Sequence, residues 1–182
     1  MSPFTDSNNP VGAGNEQPRY GQSIRVYAVT KTLTPTTVTL PVVGDIVVLT
    51  PWTTAATVGD WGGTRPTLAE AVKCPAASSN AIIGVCVGGT ALGTNPAIGG
   101  VVMVCEEGIA QVLFGAGITV TTTTLPIGTT AGHWVLASTT VAGQAKDDAT
   151  AVLGRTVGTI LETKPITTAT VTVLVTCYIH KI

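Results

Sequence analysis

Charge is what this sequence has least of. Lys and Arg number nine and Asp and Glu ten, 10% of the 182 residues, and the formal net charge is −1. The cations are scattered rather than clustered, so no basic field exists to hold a phosphate backbone, and nucleic acid is not expected as a partner. Two histidines, His133 and His180, are too few for a usual zinc site, and neither has ligands at metal-binding spacing. The four cysteines, Cys74, Cys86, Cys105 and Cys177, show no C-x-x-C pair. Three of them sit inside apolar runs, where a thiol behaves as a small hydrophobe. The start "MSPFTDSNNP" has no basic and then apolar leader, which points to synthesis in a cytoplasm without export. Residues 74–105 carry no charge, yet Gly88-Gly89, Asn95-Pro96 and Gly99-Gly100 interrupt them. No apolar run is then long enough for a spanning helix, and a membrane is not expected as a partner.

The motifs of common chemistry are missing too: no G-x-x-x-x-G-K-[ST], no G-x-S-x-G, no H-E-x-x-H. Four clusters remain to be weighed. In "GGVVMVCEEGIAQVLF", residues 99–114, a thiol and two carboxylates interrupt an apolar alternation. A catalytic cysteine would want a histidine base beside it. Glu106-Glu107-Gly108 reads instead as a tight hairpin with solvated glutamates, a long strand with a glycine bulge being the near alternative. Lys146-Asp147-Asp148 reads as a solvated turn, lacking the alternating oxygen ligands of a calcium loop. Asp45, Asp60 and Glu70 would make glycosidase carboxylates only if the fold brought them together. Trp52 and Trp61, in a loop-like region rich in Gly and Pro, are either the plug of a small barrel, an anchor for a protein partner or a sugar-stacking pair. No catalytic, cofactor-binding or metal-binding residue is expected.

What is present is strand-forming. Threonine supplies 33 residues and valine 24, hydrophobic residues make up 45%, and mean hydropathy is +0.45. Both residues are branched at Cβ and suit a pleated surface. Residues 1–22, polar and rich in Pro, Gly and Asn, read as an extended N-terminal arm with Phe4, Val11 and Tyr20 as its anchors. From residue 23 to 182 short alternating runs are separated by turn residues: "SIRVYAVTK", "TVTLPVVGDIVVLT", "AIIGVCVGG", the 99–114 stretch, "HWVLAST", "AVLGRTVGTILET" and "TATVTVLVTCYIHKI". "RPTLAEAVK" suits a short helix or a strand alternating Leu68, Glu70 and Val72. The expected fold is all-β, a compact β-barrel or β-sandwich. Two loosely similar halves, 23–115 and 116–182, are suggested by "TLPVVGDIVVLT" against "TLPIGTTAGHWVLAST" and "IIGVCVGG" against "VLGRTVGT". That much apolar surface on one soluble chain points to partners that cover it.

The succession "VGDIVVLT", "NAIIGVCVGG", "GGVVMVCEEGIAQVLF", "AGHWVLAST" and "VLGRTVGTILET…VTVLV" resembles bacteriophage capsid decoration, or cement, proteins over most of residues 40–175. The resemblance implies a non-enzymatic virion protein, made in the host cytoplasm and placed on the outer capsid surface. Such a protein binds the major capsid protein, bridges neighbouring subunits, and self-associates as a homotrimer or another homo-oligomer. Phe4, Val11, Tyr20, Trp52 and Trp61 then become the candidate capsid contacts. The polar arm and the Trp52 to Gly63 insertion depart from the family pattern. Two alternatives stay open: another virion component (head fibre base, tail or minor capsid protein) and a carbohydrate-binding surface module.

Overall fold

The computed structural model describes residues 22–29, 40–49, 70–76, 82–115, 127–166 and 172–180, and within them the chain is all-β, with no helix. The arm with Phe4, Val11 and Tyr20, and the segment with Trp52, Asp60 and Trp61, lie outside the described residues. Eleven strands are placed: β1 (Ser23–Val29), β2 (Ile46–Leu49), β3 (Glu70–Lys73), β4 (Ile82–Gly88), β5 (Val101–Phe114), β6 (Ile127–Thr129), β7 (Trp134–Ala137), β8 (Ala145–Asp148), β9 (Thr156–Ile160), β10 (Lys164–Ile166) and β11 (Val173–Ile179). The described end of "RPTLAEAVK" is strand, as β3.

Nine strands form one sheet in the order β1-β3-β2-β4-β5-β11-β9-β7-β8, and β6 pairs with β10 apart from it. Further pairing of β1 with β5 closes β1, β3, β2, β4 and β5 into a five-stranded barrel. Closure removes free edges that would otherwise recruit other strands. The other four strands of this sheet, β11, β9, β7 and β8, return to β5 through a single parallel pair, Phe114 with Ala145. Strand β5 is the spine of both parts: β1 pairs with Val101–Glu107 and β11 with Gly108–Phe114. Its even residues serve two cores. Val102 and Val104 pack with Tyr27, Val47, Ala71, Ile83 and Cys86, whereas Ala110, Val112 and Phe114 join the larger cluster of the second half.

The expected hairpin at Glu106-Glu107-Gly108 is therefore corrected: β5 runs straight through. Opposite β1 the register skips Glu106, from Ser23↔Glu107 to Ile24↔Cys105, which is a bulge, and Gly108 follows with φ 108°. A side chain on Gly108 would put its Cβ 2.8 Å from the Gln22 Cα, so close backbone approach, not chain reversal, explains this glycine.

The two sides of the sheet repeat. Strand order β3-β2-β4-β5 is matched by β8-β7-β9-β11. Within the first set Ile46 faces Val85 and Val47 faces Gly84, with a register shift after Val47. In the second Trp134 faces Thr159 and Val135 faces Gly158, with a shift after Val135. The entry turns agree as well: Gly44 (φ 95°) donates to Cys86 O, and Gly132 (φ 90°) donates to Ile160 O, both at 2.8 Å. The residue matching Gly84 is thus Gly158, not the Gly154 that the "VLGRTVGT" comparison selects, because register, not local wording, fixes equivalence in a sheet.

Candidate functional site

The thiols are the first groups to place. All four cysteines are buried, and none forms a disulfide. Loss of water around the thiolate pushes Cys74 and Cys105 up to about 11 and Cys86 and Cys177 to about 12. A nucleophilic cysteine needs the opposite shift. Folded protein is expected to leave all four thiols unreacted with Ellman's reagent at a pH of about 8, and to release them only in denaturant. Rapid reaction of one thiol in the native protein would contradict that placement.

Beside Cys105 the two glutamates part company. Glu107 is exposed, but Glu106 is largely buried at the bulge, where it accepts a hydrogen bond from the Tyr27 hydroxyl and lies 3.6 Å from Arg25 Nε. Burial, then the Glu106 carboxylate, push the Tyr27 phenol up to about 12. The "CEE" cluster is a barrel-wall feature, and the expectation that both glutamates are solvated holds for Glu107 alone.

An ion pair and a histidine–carboxylate contact occupy matching places in the two halves. In the first, Asp45 follows the turn and Lys73 sits on β3; Lys73 Nζ is 3.0 Å from Asp45 Oδ2, which also accepts the Val42 N–H at 2.8 Å. In the second the carboxylate is on the strand instead: His133 follows the turn and Asp147 sits on β8. His133 Nδ1 is 2.7 Å from Asp147 Oδ1, and Asp147 Oδ2 accepts the Thr130 N–H at 2.7 Å. Lys146-Asp147-Asp148 is accordingly a strand, not the solvated turn expected. Lys146 turns to Asp148 at 2.9 Å, and this with the Thr150 N–H holds the Asp148 carboxyl below the usual range. Asp45 is 1% exposed, so the glycosidase reading finds no accessible carboxylate there. Among the described residues no group of three His, Cys, Asp or Glu side chains is placed to hold a metal ion, and no helix is long and apolar enough to cross a membrane.

Two features stand out as available for binding, and of their residues the sequence drew attention only to His180, as a metal-ligand candidate. Trp134 on β7 and Tyr178 on β11 flank Thr159 of β9 in register. The ring of His180 lies 5.8 Å from that of Trp134 at 63° and 5.7 Å from that of Tyr178 at 36°, and its Nε2 is 2.9 Å from Thr159 Oγ1. Alternation along "VLVTCYIH" put Tyr178 and His180 on one face; nothing local put Trp134 beside them. A second feature is the turn before β9. Leu153 is 84% exposed there, next to Gly154 with φ 75°. The turn is rigid, since Arg155 N and Thr156 N both donate to Val152 O at 3.0 Å and Val152 N donates to Thr156 Oγ1 at 2.9 Å. Comparison with known proteins finds no matching family model, curated protein or solved structure.

Proposed function

We propose that this chain is a non-enzymatic structural protein of a virion, one that binds the outer surface of an assembled phage capsid, bridges neighbouring major capsid subunits, and self-associates while doing so. The observation that carries the reading is Leu153, held almost wholly in water on a hydrogen-bonded turn, with Val152 also exposed beside it. A leucine on a mobile tip is unremarkable; one fixed outward on a closed β scaffold suits a surface made to be covered. Buried thiols with raised pKa values fit a structural role. Binding that selects the assembled shell stabilises it by mass action, and many copies multiply the effect.

The test is co-sedimentation of the purified chain with undecorated phage capsids, with copy number read on a quantitative gel. A fixed stoichiometric ratio to the major shell protein is expected, and Leu153→Asp is expected to weaken attachment about tenfold or more while leaving the fold intact. Absence of binding by the unaltered chain would overturn the proposal in favour of a tail, fibre or sugar-binding role.

A further inference from the structure

Each half has a first strand, and the two are held differently. The second part of β5 stands to β8 and β11 as β1 stands to β3 and β5. It runs parallel to the one, where Phe114↔Ala145 matches Val29↔Ala71, and antiparallel to the other, where Val112↔Val175 matches Tyr27↔Val102. Register therefore sets Arg25 against Ala110 and Tyr27 against Val112. On the facing strands, Gly84 backs onto Cys105 O as Gly158 does onto Tyr178 O, so the next residues, Glu106 and Ile179, also match.

In the second half these positions are apolar and closed: Ala110, Val112 and Ile179 are all buried. In the first they are polar. Tyr27 donates its hydroxyl to Glu106, whose carboxylate lies 3.6 Å from Nε of an Arg25 side chain that is 68% exposed. Tyr27 is the only buried side chain among those described on β1; Ile24 is half-buried, and Ser23, Arg25 and Val26 are exposed. Contact with β3 is limited to two residue pairs, and the register against β5 skips Glu106. The other end is tied by Gln22, whose Nε2 donates to Ile109 O. An apolar row resists release because water must cover it again, whereas water replaces most of what a polar contact near the surface loses. The second part of β5 also cannot leave its place without disturbing the first barrel, of which it is the continuation; β1 carries no such tie.

We infer that β1 is a releasable strap: it lifts off β3 and the first part of β5 as one unit and opens the first barrel while the second half stays folded. Tyr27 and Glu106 are its clasp. A slip of one residue would turn Tyr27 to the other side of the strand and leave the Glu106 carboxylate without its hydroxyl, so the pair fixes the closed register. Opening bares the edges of β3 and of Val101–Glu107, the kind of edge to which an extended strand adds. The inference does not depend on the identity of any shell.

Residue-resolved hydrogen exchange of the full chain, read by NMR, tests it. The amides of β1, and those of Val101–Glu107 that point to it, are expected to share one opening equilibrium. They should exchange about 100-fold faster than those of Gly108–Phe114 and β11, with a weaker dependence on urea because a single strand is exposed. That comparison needs no variant to fold. Tyr27→Phe, which undoes the clasp, should speed exchange in β1 about tenfold further. Val135→Ala makes a cavity in the core of the second half, on a strand that does not touch β1. It should speed exchange in β7 and β11 and leave β1 unchanged, since the strap opens without passing through that core. Equal rates in β1 and β11, an unchanged β1 in Tyr27→Phe, or a β1 that Val135→Ala speeds as much as β11 would each overturn the inference.

Discussion

Gly158→Val is expected to destabilise this chain by about 3 kcal/mol or more, a large share of the stability of a typical domain. A Cβ at Gly158 would lie 2.1 Å from Tyr178 O and 3.0 Å from the Ile179 Cα, both backbone atoms of the paired strand β11. Backbone cannot swing aside as a flexible side chain can, so β9 and β11 would have to separate and lose their ladder. Gly84→Val should behave alike, because its Cβ would lie 2.2 Å from Cys105 O. Gly132→Asn is the contrasting case: φ is 90° there, which asparagine tolerates, and nothing lies within 4 Å. Urea denaturation should show both valine variants shifted to much lower midpoints, or insoluble, with Gly132→Asn close to the parent. A small shift for Gly158→Val would mean that β9 and β11 do not approach so closely.

Lys73→Met should cost about 3 kcal/mol at neutral pH, because it strands a buried carboxylate. Asp45 Oδ1 has no hydrogen-bond partner, and Oδ2 would keep only the Val42 N–H. Burial raises the Asp45 pKa above its ordinary 3.8, against the lowering effects of the Val42 N–H and Lys73. The sign of the pH dependence follows. A carboxyl with a raised folded-state pKa binds its proton more tightly folded than unfolded, so its contribution favours folding at low pH and is lost as pH rises through the folded-state value. Removing Lys73 raises that value further. The variant's deficit relative to the parent should therefore shrink as pH falls toward 3.8. Denaturation curves for both proteins at several pH values check this; a deficit independent of pH would show that lost packing of the lysine stem, not the stranded charge, is responsible. His133→Gln should cost much less, about 1 kcal/mol or below, since the His133–Asp147 pair is partly open to solvent.

These two side-chain pairs mark how far the sequence could be read. Val-Gly-Asp at 43–45 and Ala-Gly-His at 131–133 are visible as turn entries to strands, because glycine in a turn is a local requirement. That each turn's last residue meets a side chain on the neighbouring strand, Asp45 with Lys73 on β3 and His133 with Asp147 on β8, is not local. Lys73 lies 28 positions from Asp45, and Asp147 lies 14 from His133. The alignment of "VLGRTVGT" with "IIGVCVGG" failed for the same reason: similar wording exists four residues out of register, and only hydrogen bonding to the neighbouring strands selects Gly158. At residues 99–114 the alternation correctly gave strand on both sides of the glutamates. Whether the chain turned back or ran on depended on β1 and β11 both being available to pair along it.

The amino-acid sequence by itself determined the all-β class and most strand positions, because β-branched alternation and turn residues act over a few neighbours. It also determined the lack of any catalytic or metal motif within its own wording. Only the tertiary structure decided that β5 joins a closed barrel to a second set of strands, that Glu106 is buried against Tyr27, and that Trp134, Tyr178 and His180 share one exposed face. Strand pairing joins residues distant in the chain, and its register sets which side chains meet and which face water. That choice is made by the whole sheet at once, so no short stretch of the sequence contains it.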